Sequence, residues 1–146
     1  MSVDQSSLRM SISTAAGADT FRVVEAWGHE ELSLPFEFNL VLESDDPKVS
    51  LDEVVGDTAT LTMEFSSARK RTVHGWVTRA RRGTSDARLT RYHLELRPWL
   101  WTARLAGDCR IFQEMTTPEI IKKALGDLGF QDIREALKGS YEPRSY

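Results

Sequence analysis

In residues 88–115, RLTRYHLELRPWLWTARLAGDCRIFQEM, a strand-period alternation runs directly into a cluster of tryptophans. Tyr92, Leu94 and Leu96 fall on one face of an extended chain, and His93 and Glu95 on the other. Pro98 has no N–H to give to a sheet ladder, so the strand ends before it. Trp99, Leu100 and Trp101 follow as heavy packing material, with arginine the main charge around them. The order predicts a half-buried strand that turns a sheet corner against a short helix. It offers packing groups and no reaction centre.

The same period recurs along the chain. Phe36, Phe38, Leu40 and Leu42 alternate with Glu37, Asn39, Val41 and Glu43 after Pro35, and Ala59, Leu61, Met63 and Phe65 alternate with Thr60, Thr62 and Glu64. Phe21 to Trp27 is a strand candidate, and Leu8 to Ser13 is expected to pair with it. Ser44-Asp45-Asp46-Pro47 breaks one strand, and Leu51 to Val55 reads as a helical turn stopped at Gly56. Val73 to Arg82 reads as a strand that starts apolar and ends basic, closing at Gly83, while Ser66 to Arg71 reads as a polar connection.

After Gln113 the period becomes helical. Thr116 and Glu119 have capping-box spacing around Pro118, and Ile120, Ile121, Ala124, Leu125 and Leu128 make one apolar face before Gly129. Six or seven short strands and one amphipathic helix predict a mainly β (α+β) fold, a small antiparallel β-barrel with a helix packed on it. The chain of 146 residues is long enough for one such core and too short for two comfortable ones. The expected division is one barrel-and-helix domain over 1–137 and a connector over 138–146.

Charge is unevenly placed. From Arg69 to His93 there are eight Lys and Arg against a single acid, Asp86; the remainder holds 11 basic and 21 acidic residues. Such a division favours oriented association with charged partners. Within that segment Arg79, Arg81 and Arg82 are the candidate partner-contact residues. Three readings stay open for it. Trp76 and Tyr92, interleaved with Arg79, Arg81, Arg82, Arg88 and Arg91, could serve a single nucleic-acid strand on a small barrel. The charges could instead guard an edge strand in water, or meet another protein or line a lumen. The acidity of the whole chain weighs against nucleic acid.

Other chemistry finds little support. His29-Glu30-Glu31 opens like a zinc-protease helix, but Ser33 stands where the second histidine is needed. His74 and His93 could meet if their strands pair, yet they lack an evident third ligand. Cys109, beside Ile111 and Phe112, reads as a buried structural thiol rather than a nucleophile. Walker, GxGxxG and GxSxG sequences are not found. We expect no catalytic residues, no metal and no cofactor. One cysteine permits no internal disulfide, and neither a signal peptide nor an apolar run of membrane length is present.

The order of motifs resembles the N-terminal, phage baseplate hub-like region of VgrG proteins, the spikes of type VI secretion systems. The residues concerned are Leu32-Ser33-Leu34-Pro35-Phe36-Glu37-Phe38, Val55-Gly56 before Ala59-Thr60-Leu61, His74-Gly75-Trp76-Val77, Pro98-Trp99-Leu100-Trp101 and Cys109 to Gln113. Pro118-Glu119-Ile120-Ile121 and Tyr141-Glu142-Pro143-Arg144 complete it. The resemblance implies a structural hub: three chains in a ring of pseudo-sixfold symmetry, capping the hexameric tube protein Hcp and delivering effectors. It implies self-association, contact with Hcp, with other baseplate components and with effectors or their adaptors, and no membrane partner. Assembly would be cytoplasmic, with later export into target cells. It also implies that a second barrel, an oligosaccharide-binding fold and a needle follow Tyr146. A contractile phage tail hub is the nearby alternative, and a small nucleic-acid-binding barrel the distant one.

Overall fold

The computed structural model describes residues 9–66, 69–107 and 109–145. They divide into two compact units, one ending at Trp101 and one beginning at Thr102. The first is a six-stranded antiparallel sheet: β1 (Met10–Ser13), β2 (Arg22–Glu31), β3 (Leu34–Ser44), β4 (Thr58–Ser66), β5 (Arg69–Ser85) and β6 (Thr90–Arg97). Its spatial order is β1-β4-β5-β6-β3-β2. The edge strands β1 and β2 approach one another, so the sheet curls into a half-barrel around its apolar side. The mainly β, barrel-like fold expected from the alternations is therefore present.

The alternating residues explain the core. Leu40 and Leu42 of β3, Ala59 and Leu61 of β4, Val73 and Val77 of β5, and Tyr92, Leu94 and Leu96 of β6 are all buried on the inner face. The link from β3 to β4 adds Val49 and Val54, and the turn around Leu51 to Val55 closes with Val55 N–H donating to Leu51 O at 2.9 Å. Gly56 follows at φ +84°, where a residue without Cβ costs least. Phe21 stands edge-on to Tyr92, ring centres 5.3 Å apart, and the Tyr92 hydroxyl donates to Asp46 O at 2.8 Å. The largest buried side chain thus leaves no unpaired hydroxyl.

Bulges produce the curl. β5 loses register against β6 between Val77 and Arg79, and again between Arg82 and Ser85; β2 loses it against β3 between Val23 and Glu25. Each extra residue bends its strand and tightens the twist. Across the inner end, Arg71 of β5 pairs with Glu30 of β2, two strands that are not sheet neighbours.

Several expectations are corrected. β1 pairs with β4, not with β2: Ile12 lies opposite Leu61, so its apolar side reaches the core from that edge. Leu8 lies outside the described residues. β4 and β5 extend to Ser66 and from Arg69, so most of the supposed polar connection is strand. Trp99 to Leu105 form the expected short helix, of 3-10 type, but Trp99 and Leu100 are exposed.

The second unit carries α1 (Thr117–Asp127), capped as its sequence requires. Glu119 N–H donates to the Thr116 hydroxyl, and Thr116 N–H donates to the Glu119 carboxylate at 2.8 Å. At the other end Phe130 N–H reaches Leu125 O and Gly129 N–H reaches Gly126 O, with Gly129 at φ +88°. Ile121 is half exposed, and α1 has no buried residue.

Candidate functional site

The outer face of β2, β3, β6 and β5 carries the chain's charged groups in register. One row across it reads Trp27, Asn39, Glu95, Arg79, and the next reads Glu25, Val41, His93, Arg81. The bulge at Thr78 sets this arrangement. Val77 lies opposite Leu96 and Ala80 opposite Leu94, both inward. Strict alternation from Val77 would have turned Arg79 and Arg81 into the core; the extra residue turns them outward.

Most outer-face arginines are matched by carboxylates. Arg22 pairs with Glu43, which also accepts from Arg91 Nε at 3.5 Å. Arg97 bonds Glu37 and, at 2.6 Å through Nε, Glu95. Burial pushes the Glu95 carboxyl up, but hydrogen bonds from Arg97 and Thr78, with the charges of Arg97 and Arg79, hold it below its ordinary value. Arg79 and Arg81 make no hydrogen bond or ion pair, among the described residues, to any carboxylate. They wall one end of a trough of about 270 Å³ whose other lining side chains include Trp27, Asn39, His93 and Glu95. Trp27 is 53% exposed. A second depression of about 270 Å³, past the Arg81 and His93 ridge, is lined by Glu25, Val41 and Arg91. Desolvation lowers the His93 pKa, and the charges of Arg81 and Arg91 lower it further, so the fold favours the neutral ring.

The three expected contact residues are therefore split. Arg79 and Arg81 share the trough, whereas Arg82 falls on the inner register, its guanidinium 5.8 Å from the Tyr92 ring centre. Tyr92 is wholly buried and offers no stacking platform. Trp76 remains half-buried in the row with Arg97. Carboxylates stand between these cations, which suits a nucleic-acid backbone poorly. Trp27, whose exposed indole completes the trough, was missed; its alternation with buried Val23 and partly buried Ala26 is hidden by the β2 bulge.

The remaining candidates do not converge. His74 bonds the Thr60 hydroxyl at 2.8 Å and lies seven positions along β5 from Arg81, the residue opposite His93. His29 is exposed beside Glu31 at 3.1 Å. Among the described residues, no group of three His, Cys, Asp or Glu is placed to hold a metal ion. Cys109 is exposed, not buried, and Ile111, two residues on, is itself 80% exposed.

A family model described as phage tail baseplate hub (GPD) matches residues 29–146. The chain belongs to the baseplate hub family. It is 36% identical over its whole length to the type VI secretion system spike protein VgrG1b of Pseudomonas aeruginosa, covering 20% of that protein. It is also 36% identical to VgrG1c of the same organism, over 92% of this chain and 19% of the relative. The hub chain thus spans about a fifth of the length of these spike proteins. In structure it is similar to the E. coli c3393 protein, a type VI secretion component with similarity to T4 bacteriophage tail proteins gp27 and gp5. That match has a TM-score of 0.78 and 24% identity, and covers 92% of this chain and 37% of that one. It bears on the fold alone. No helix among the described residues is long and apolar enough to cross a membrane.

Proposed function

We propose that this chain is the N-terminal hub domain of a type VI secretion spike and acts by assembly, without catalysis. The observation that carries this reading is the 36% identity to a spike protein along all 146 residues. In the whole protein, three copies would form a ring that caps the hexameric Hcp tube and helps deliver effectors. Two barrels per chain would give a threefold object six similar positions, matching a sixfold tube. Residues 1–137 would form the hub-like unit and 138–146 the link to the next part. Arg79, Arg81 and the exposed Arg82 are proposed for partner contact, the first two with the trough they wall. The spike would assemble in the cytoplasm and leave with the tube.

The test is sedimentation of the full-length gene product, alone and with its cognate Hcp hexamer. A trimer that co-sediments with the hexamer is expected. A monomer that ignores the hexamer overturns the reading. The family match also suits a contractile phage tail hub. In that case the trimer would join a phage tail tube and leave Hcp alone.

A further inference from the structure

Arg79 and Arg81 are two positions apart on one face of β5, so their side chains repeat at roughly 6.5–7 Å along the strand. Extended peptide repeats its own side chains at that same spacing. Among the described residues both guanidiniums lack an ion-pair or hydrogen-bond carboxylate partner, whereas Arg22, Arg91 and Arg97 on the same face each have one. Glu95, opposite Arg79, gives its hydrogen bonds to Arg97 and Thr78 and meets Arg79 through charge alone, so the Arg79 donors stay open. At the other end Trp27 presents a half-exposed indole, a flat apolar wall suited to the body of a bound side chain.

We propose that this trough docks an extended acidic segment of a partner protein, whose carboxylates at alternate positions engage Arg79 and Arg81 while Trp27 covers its far side. The proposal rests on the partner-contact reading of this face given above. Each guanidinium can grip a carboxylate through two parallel N–H donors, which a lone ammonium cannot do. Glu25, Glu37 and Glu43 on the same face repel any anion that runs past the two arginines, so the docked acidic stretch must be short. β5 is an interior strand, so the contact is made by side chains and not by adding a strand to an edge.

The test is fluorescence anisotropy of a labelled peptide of alternating Glu and Ser against the full chain. Binding is expected to weaken by about tenfold or more in Arg79→Ala with Arg81→Ala, the loss of two charge-assisted contacts. It should fall steeply with added salt. Trp27→Ala should weaken it too, and Arg88→Ala, on the β5–β6 loop, should leave it unchanged. Circular dichroism checks that each variant keeps its sheet; should the alanine pair unfold, Arg79→Gln with Arg81→Gln supplies the same readout. Equal binding by the wild type and the arginine variants overturns the proposal. So does tighter binding of a single-stranded oligothymidine through the same two arginines. Co-sedimentation with the tube needs no acidic peptide, so a chain that joins the tube yet ignores the peptide defeats this proposal alone.

Discussion

The sheet and the segment after it are held together by different means. Every buried side chain among the described residues lies in the sheet unit, where sixteen apolar residues and Thr14, Ser44 and Thr90 are shielded. From Thr102 onward no described residue is buried, and Leu105, Ile111, Ile121, Leu137 and Tyr141 are exposed. That unit is organised by local chemistry: a capping box, a glycine stop, the Arg110–Asp127 and Lys122–Glu135 pairs, and a bridge between Met115 and Arg144. Burial makes the stability of one unit cooperative. Caps and surface pairs, each worth little in water, leave the other free to open locally.

Substitutions should separate the two units in size and then in sign. Leu42→Ala, at a fully buried position, should cost about 3 kcal/mol by chemical denaturation, while Ile121→Ala on α1 should cost less than about 1 kcal/mol. A comparable loss at both sites would mean that α1 shares the cooperative core. Next come two glycines. A Cβ at Gly75 would stand 2.5 Å from the Arg97 carbonyl oxygen and 3.1 Å from Phe36, so Gly75→Ala should destabilise by roughly 1–3 kcal/mol. A Cβ at Gly126 meets nothing within 4 Å, so Gly126→Ala should stabilise α1 by about 0.5–1 kcal/mol, read from helix amide exchange.

The same contrast explains what could be read before folding. The capping box of α1 was legible because Thr116 and Glu119 are three residues apart and need nothing else. β3, β4 and β6 were legible because one buried face imposes a period of two over most of their length. β5 was legible as a strand over Val73 to Arg82, but the facing of Arg79 and Arg81 was not, since the chain bulges at Thr78. The arginines of the trough were visible as charge. Their lack of partners was not, because Glu43 and Glu37, which satisfy Arg91 and Arg97, lie 48 and 60 residues away in sequence. The place of β1 beside β4 is likewise a long-range choice.

The smallest expected effects are titrations, one in each unit. His93 is held below 6.5 in the fold by desolvation first and Arg81 second, so Arg81→Ala should raise its pKa toward 6.5 in an NMR titration. The fold prefers the neutral ring, so wild-type stability should be full above pH 6.5 and decline as pH falls from 6.5 toward the folded pKa. An unmoved His93 pKa in the variant would place Arg81 away from the ring. In α1, hydrogen bonds from the Thr116 N–H and hydroxyl keep the Glu119 carboxyl below 4.5. This carboxylate supports the helix above pH 4.5, and the support is lost as pH falls through its lower folded value. Slowed exchange of the Thr116 amide should therefore disappear in strong acid while the sheet amides keep theirs. Glu119→Gln retains an acceptor without a charge, so the Thr116 amide should be less protected at neutral pH and indifferent to acid. If that variant still lost protection at the same pH, the titrating group would be another carboxylate, and the cap would not be what holds the start of α1.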